Sequence, residues 1–156
     1  MGVHGLFFSE WDGFILIVVN NQDILATWLC SRIQLHPSSN FRCIGRLGSD
    51  GRLVGVVGYE NFTGSSAIMH VAGEPGWLNR EFLWSMFDYP FNQCKLKVVF
   101  VQISTANKAS LRFAEHVGFK RECLLKDVFE DGDGHILSMR AEDCKYLTRK
   151  THGKVH

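Results

Sequence analysis

The sequence predicts a mixed α/β (α+β) domain, with a mostly antiparallel central sheet and flanking helices. Short apolar runs rich in β-branched residues, which are typical of strands, alternate with segments whose apolar residues recur at helical spacing. Asp50-Gly51 joins two of these runs as a hairpin turn, and a second turn contains Gly64. The predicted order of elements is therefore β, α, β-β-β, α, β, α, β-β.

Length and composition are those of a single domain of 156 residues, with an irregular arm at 1–13 and a basic tail at 148–156. The formal net charge of +1 gives no reason to expect a nucleic-acid partner. Five cysteines form no Cys-x-x-Cys pair and seven histidines lack ligand spacing, so neither disulfides nor a metal site is expected. Without a membrane-spanning run or a secretory signal, we expect a cytoplasmic protein. We also expect a monomer or a homodimer.

The first half of the chain is predicted to form a strand, a helix and an antiparallel meander. An apolar run at 14–19 is the first strand, and Asn21 can then cap a helix. The apolar stripe of this helix consists of Ile24, Leu25, Trp28, Leu29 and Ile33. Strands at 41–47, 52–62 and 67–72 follow, and the tight turns between them predict a meander.

The second half is predicted to add two helices and three strands. A helix begins near Leu78 and leads to a strand at 95–103. Because a strand–helix unit precedes it, this strand is expected to run parallel to the last meander strand. A short helix at 108–117 ends at Gly118, and a hairpin of strands over 119–140 follows.

The turn Gly73-Glu74-Pro75-Gly76 lies between the last meander strand and the helix near Leu78. Backbone N–H groups at a helix start are unpaired, so such a turn can bind phosphate or another anion. Turns of this kind are also common without any ligand, and that alternative stays open at this point.

The stretch Ser104–Glu122 resembles the C-terminal half of the GCN5-related N-acetyltransferase (GNAT) family. There an Asn, here Asn107, opens a short helix that ends in a Gly-Phe pair, here Gly118-Phe119, followed by a basic residue and a Glu. The likeness covers roughly residues 14–147 and is closest to ribosomal-protein-type and small phage-encoded acetyltransferases. It implies a GNAT-like mixed sheet whose two central parallel strands splay apart.

This resemblance implies an N-acetyltransferase that transfers an acetyl group from acetyl-CoA, its cosubstrate, to the primary amine of a protein N-terminus, a lysine or a small molecule. The implied cofactor-binding residues are Val71, Ala72, Gly73, Gly76, Trp77, Leu78, Asn107, Ser110 and Phe113. The backbone near Val71 would pair with the pantetheine arm, N–H groups at 73–78 would hold the pyrophosphate, and Asn107 would bond the arm from the other side. Asn107→Ala is expected to weaken CoA binding with little loss of stability.

Two departures from the family pattern leave a second interpretation of the protein's function open. The pyrophosphate-binding loop of the family usually has the sequence Gln/Arg-x-x-Gly-x-Gly/Ala. This chain instead has Glu74, whose charge would repel phosphate unless the side chain points away, and Pro75, which has no N–H. Ala114 stands where many members carry a tyrosine that protonates the departing thiolate. The second reading is a GNAT-fold protein with little or no catalysis that acts by binding a partner protein, for example a host protein.

Glu60, His70 and Ser110 are the candidate catalytic residues. Glu60, near the end of a strand, is the first candidate for a general base, and a solvated carboxylate is its alternative. His70 is the second, since imidazole suits proton transfer near neutral pH, although a histidine in an apolar strand is commonly a core residue. Ser110 and Tyr59 are weaker candidates for the acid.

Overall fold

The computed structural model describes residues 16–147, so the predicted arm at 1–13 and tail at 148–156 lie outside the described part. Its strands are β1 (Leu16–Val18), β2 (Arg42–Leu47), β3 (Leu53–Glu60), β4 (Ser66–Gly73), β5 (Val98–Ser104), β6 (Lys120–Phe129) and β7 (Gly132–Arg140). Its α-helices are α1 (Gln22–Cys30), α2 (Arg80–Asp88) and α3 (Lys108–Val117). The strands form one sheet in the order β1-β2-β3-β4-β5-β7-β6, with β4 and β5 parallel, which confirms the predicted mixed fold.

The chain divides into two compact units, which are described separately below. Within residues 16–147, the first contains residues 16–61 together with Met69–Met86, and the second contains Phe62–Ile68 and residues 87–147. The single domain expected from the sequence stays a prediction. None of the helices between residues 16 and 147 is long and apolar enough to cross a membrane.

In the first unit, α1 packs on one face of the strands and α2 on the other. Leu25 and Leu29 of α1 belong to a buried cluster that also contains Val18, Phe41, Cys43 and Val56. A Cβ atom on Gly58 would lie 2.7 Å from Leu29, so the close approach of the helix requires a glycine there. On the opposite face, the buried hydroxyl of Tyr59 donates a hydrogen bond to the carbonyl of Met86.

Helix α1 differs from the prediction at its start, its end and its apolar face. Asn21 has φ 61 and caps the helix through its carbonyl, which accepts the N–H groups of Ile24 and Leu25 at 3.0 and 3.1 Å. Its side chain makes no capping hydrogen bond with the described residues. Ile24 is 60% exposed, and the helix ends at Cys30, before Ile33. Ile24 therefore lies outside the buried face, whereas Ile33, beyond the end of the helix, still packs against the buried cluster.

The second unit contains the parallel pair, which is paired as predicted. Ala67 of β4 lies opposite Val99 of β5, and β7 then joins β5 to β6 by antiparallel pairing. Helix α3 has the predicted bounds and ends at Gly118, whose φ of 122 favours glycine. Phe87 stacks on Tyr146 with ring centroids 5.5 Å apart, so aromatic packing forms part of this unit's core.

Candidate active site

Glu60 and His70, two of the predicted catalytic residues, are hydrogen-bonded to each other in the first unit. Oε1 of Glu60 at the end of β3 lies 2.8 Å from Nε2 of His70 on β4. The two side chains are only 9% and 18% exposed. With an ionised carboxylate and a neutral imidazole, the N–H is at Nε2 and donates a hydrogen bond to Glu60, which leaves Nδ1 as an acceptor. A fixed imidazole with a free lone pair can act as a general base.

The main chain after α1 supports the second oxygen of this carboxylate. The N–H of Ser38 donates to Oε2 of Glu60 at 3.2 Å, and the ring of Phe41 lies 6.3 Å from that of His70. Among the described residues, Glu60 is the charged residue that is buried, at 7% exposure. Burying a carboxylate is costly unless it is hydrogen-bonded, and both oxygens here have a partner. Glu60 is therefore not the solvated strand-end carboxylate of the alternative reading.

Two thiols near this pair remain protonated. Burial raises the pKa of the Cys30 thiol, and the negative charge of Glu60 raises it further. Burial also raises the pKa of Cys43, to about 12, with a smaller contribution from Cys30. Thiolates are the nucleophilic form of cysteine, so neither thiol supplies a nucleophile near neutral pH. The chemistry of this region rests on the carboxylate and the imidazole.

The loop from β4 to α2, residues 74–79, is the second feature of the first unit. The predicted cofactor-binding residues that lie here and on the end of β4 are Val71, Ala72, Gly73, Gly76, Trp77 and Leu78. The N–H of Glu74 donates to the carbonyl of Val54 at 2.8 Å, and the N–H of Trp77 donates to the carbonyl of Glu74 at 3.0 Å. Those two N–H groups are therefore used by the protein itself.

The start of α2 still offers free donors. The helix begins at Arg80, two residues after Leu78, and the side chain of Asn79 caps it by accepting the N–H of Phe82 at 2.8 Å. The N–H groups of Leu78 and Arg80 have no hydrogen-bond acceptor within residues 16–147. Unpaired N–H groups at a helix start attract anions.

The indole of Trp77 packs back onto the strands. A Cβ atom on Gly73 would lie 2.1 Å from the indole, and one on Gly55 would lie 2.7 Å from it. The ring also meets Phe82 edge-on, with centroids 5.8 Å apart. Glycines at 55 and 73 therefore make room for the ring, and Trp77 anchors the loop to the sheet.

The carboxylate of Glu74, which would repel phosphate unless it points away, pairs with Arg32. Oε1 of Glu74 lies 3.4 Å from the Arg32 guanidinium, and both side chains are exposed. The same guanidinium lies 3.5 Å from the ring centroid of Trp28, which holds it in place. The charge of Glu74 is thus partly offset by Arg32.

Ser38 and Arg46 contact these features but were not predicted from the sequence. Ser38 follows Pro37 in a polar break, and Arg46 is a charged residue within β2. Arg46 donates through Nη1 to the carbonyls of Gly76 and Trp77 in the loop. No local signal could have identified either residue, because both contacts join segments that are distant in the sequence.

Asn107, Ser110 and Phe113 lie on α3 in the second unit. Oδ1 of Asn107 accepts the N–H of Ser110 at 3.1 Å, so Asn107 is the N-cap of α3. The sequence predicts Asn107 at the start of this helix, but its side chain was not expected to stabilise it. Ala114 is buried at 5% exposure and has no proton to donate where the family tyrosine would stand. Ser110 belongs to a different unit from Glu60 and His70.

Comparisons with known proteins identify the fold. No protein-family model and no curated protein sequence matches the chain. A mutant of spermidine N-acetyltransferase SpeG from Vibrio cholerae matches with TM-score 0.68 and 16% identity, over 86% of this chain and 97% of that chain. A dodecameric spermidine N-acetyltransferase from Vibrio cholerae matches with TM-score 0.66 and 16% identity, over 87% of this chain and 98% of that chain. A GNAT-family acetyltransferase from Bacillus anthracis matches with TM-score 0.54 and 19% identity, over 64% of this chain and 66% of that chain. The predicted GNAT-like fold is therefore confirmed.

Proposed function

We propose that this chain is an acetyl-CoA-dependent N-acetyltransferase that acetylates a primary amine. The observation that carries the proposal is the buried Glu60–His70 pair, at 2.8 Å, in a GNAT-like fold. An amine must be neutral to attack a thioester, so a positioned base is useful. Fold alone does not fix an activity, and the pair supplies the chemical argument that the fold lacks.

In this proposal His70 is the base and Glu60 holds it in the tautomer that can accept a proton. The amine nitrogen attacks the carbonyl carbon of the thioester, a C–N bond forms and the C–S bond breaks. The proton lost by the amine passes to Nδ1 of His70, directly or through a water. Coenzyme A leaves as a thiolate and takes a proton from solvent, because Ala114 offers none. Ser110 stays a weaker candidate for the acid.

Binding of acetyl-CoA is assigned, in the first unit, to β4 and the loop that follows. The backbone at 71–73 is proposed to pair with the pantetheine arm, and the N–H groups of Leu78 and Arg80 are proposed to bind the diphosphate. What supports the second assignment is that neither N–H has an acceptor within the described residues. On α3, the roles of Asn107, Ser110 and Phe113 in binding acetyl-CoA stay a prediction.

The acceptor amine is open among small molecules, lysine side chains and protein N-termini. The matched Vibrio cholerae protein is a spermidine N-acetyltransferase, so spermidine is the first amine to test. The closeness to ribosomal-protein-type and phage-encoded acetyltransferases, and a cytoplasmic location, stay predictions.

A second candidate function is a GNAT-fold protein that binds a partner protein without catalysis. The buried Ala114 favours it, because no hydroxyl stands there to protonate a departing thiolate. Against it stands the Glu60–His70 pair, since a binding protein gains nothing from a buried carboxylate bonded to an imidazole.

The test is release of the CoA thiol from acetyl-CoA in the presence of single amines. Spermidine, a peptide with a free N-terminus and a peptide with an internal lysine form the panel. We expect thiol release that depends on at least one amine, and an acetylated product confirmed by mass spectrometry. Binding of acetyl-CoA without amine-dependent release for any acceptor would favour the second candidate.

A further inference from the structure

We infer that Arg46 is a positioning residue that shapes the loop at 74–79 to bind the diphosphate of acetyl-CoA. The inference rests on the proposed function and adds a residue that no sequence pattern assigns to the site. It follows from the contacts of Arg46, from the geometry of the peptide bond and from the charges around the loop.

The contacts tie β2 to the loop. Arg46 lies opposite Gly55 of β3 in the sheet, and Gly55 is one of the glycines against which the Trp77 ring packs. From there Nη1 of Arg46 donates to the carbonyl of Gly76 at 2.8 Å and to the carbonyl of Trp77. Because these carbonyls are consecutive, one side chain fixes the orientation of two neighbouring peptide planes.

The peptide geometry turns this contact into a binding device. In a planar trans peptide the C=O and the N–H point in opposite directions. The carbonyl of Gly76 shares its peptide with the N–H of Trp77, which bonds to Glu74. The carbonyl of Trp77 shares its peptide with the N–H of Leu78, which has no acceptor within the described residues. By holding the Trp77 carbonyl, Arg46 aims the Leu78 N–H away from itself and leaves it available to an anion.

Charge supports the same conclusion. No carboxylate within the described residues forms an ion pair with Arg46, whereas Glu74 of the same loop is paired with Arg32. The Nε of Arg46 is buried and unpartnered over the same range. A partly buried guanidinium without an ion-pair partner favours negative charge nearby, and here that attraction acts across the loop, since the Leu78 N–H points away from Arg46. Arg46 thus adds a positive charge beside the loop and orders the Leu78 N–H, in a loop where Pro75 has no N–H and Glu74 is negatively charged.

The test separates this role from general support of the fold. Arg46→Gln removes the charge, Arg46→Lys keeps the charge but replaces the planar guanidinium whose Nη1 donates to both carbonyls, and Arg42→Gln is the matched control. Arg42 is an exposed arginine on the same strand that donates to the neighbouring carbonyl of Phe41. Acetyl-CoA, inorganic pyrophosphate and S-acetylpantetheine, which lacks the diphosphate, are titrated into the ¹⁵N-labelled full chain and followed by NMR.

In the wild-type chain, acetyl-CoA and pyrophosphate should shift the Leu78 amide resonance strongly, and S-acetylpantetheine should not. Arg46→Gln should weaken acetyl-CoA binding by about tenfold or more, the loss expected for hydrogen bonds to a charged group. Arg46→Lys should recover part of that loss, and S-acetylpantetheine affinity should change by less than about twofold in every variant.

Three results would overturn the inference. They are an Arg46→Gln chain that binds acetyl-CoA as the wild type does, an equal loss of acetyl-CoA and S-acetylpantetheine affinity, and a wild-type Leu78 amide that pyrophosphate leaves unmoved. The last result remains decisive even if Arg46→Gln does not fold. Failure of the wild-type chain to bind acetyl-CoA or S-acetylpantetheine at all would instead refute the proposed function, and this inference with it.

Discussion

Glu60→Gln tests the proposed pair most sharply, because glutamine keeps the shape of glutamate but not its hydrogen bonding. Glu60 accepts from two donors, Nε2 of His70 at 2.8 Å and the N–H of Ser38 at 3.2 Å. A glutamine has one oxygen and one NH₂ group, so it can accept only at one of these places.

Each orientation of the new amide has a defined cost. If its oxygen faces His70, the part-buried Ser38 N–H loses its acceptor, and about 1–3 kcal/mol is the upper range of that penalty. If its NH₂ group faces His70, the imidazole must carry its proton on Nδ1, and it can no longer take a proton from the amine. Because the second arrangement satisfies more hydrogen bonds, we expect it to dominate.

The expected result is a fall in kcat of about 10²–10⁴-fold, the usual contribution of a general base. Binding of acetyl-CoA should be unchanged, and unfolding free energy should fall by no more than about 1–3 kcal/mol. Thiol release, calorimetry and chemical denaturation measure the three quantities. Glu115→Gln is the control, because Glu115 pairs with Arg121 at the exposed surface, where such pairs contribute little.

A double-mutant cycle tests whether Glu60 and His70 act as a single base. His70→Gln should be as damaging as Glu60→Gln, and the double variant should be little worse than either, since both changes disable one base. Full activity in Glu60→Gln, or additive losses in the double variant, would show that the two residues do not act as a pair.

Three further predictions concern stability and the loop. Asn107→Ala should lower the unfolding free energy by about 0.5–2 kcal/mol, because the Ser110 N–H loses its cap. This loss is larger than the one expected from the sequence. Urea denaturation measures it, and a smaller effect would show that the cap is unimportant. Burial raises the pKa of Cys43 to about 12, so the unfolded chain loses the thiol proton at lower pH than the folded chain. The unfolding free energy should therefore fall as pH rises from about 8.5 to 12, and it should fall less in the Cys43→Ala chain. Parallel profiles of unfolding free energy against pH would contradict this. Gly73→Ala would place its Cβ 2.1 Å from the Trp77 indole, so it should lower the unfolding free energy by about 1–3 kcal/mol and weaken acetyl-CoA binding. A variant with wild-type stability and normal affinity would contradict the packing of Trp77 on Gly73.

The parts of the fold that could be predicted are those set by neighbouring residues. Helix α3 was predicted with its bounds and its end at Gly118, because the apolar period and a C-terminal glycine are local signals. The parallel pairing of β4 and β5 followed from the intervening strand–helix connection. Ile24 was wrongly assigned to the core, since its spacing fits the stripe but α1 turns only a narrow face inward.

The candidate site could be predicted only in part, because its contacts depend on strand register and chain return. Glu60 and His70 were each named as a candidate, but their hydrogen bond depends on how β3 and β4 align. The use of the Glu74 N–H by Val54, and the reach of Arg46 to the loop, join residues 20 or more apart in the chain. No period or motif within a short window reports such contacts.

Calorimetric titration of acetyl-CoA into the purified chain measures whether the protein binds the proposed cosubstrate. We expect one site with a dissociation constant in the micromolar range, which corresponds to a binding free energy of order −8 kcal/mol. Absence of binding at millimolar acetyl-CoA would contradict it, and would show that the loop with Glu74 and Pro75 does not accept the cosubstrate.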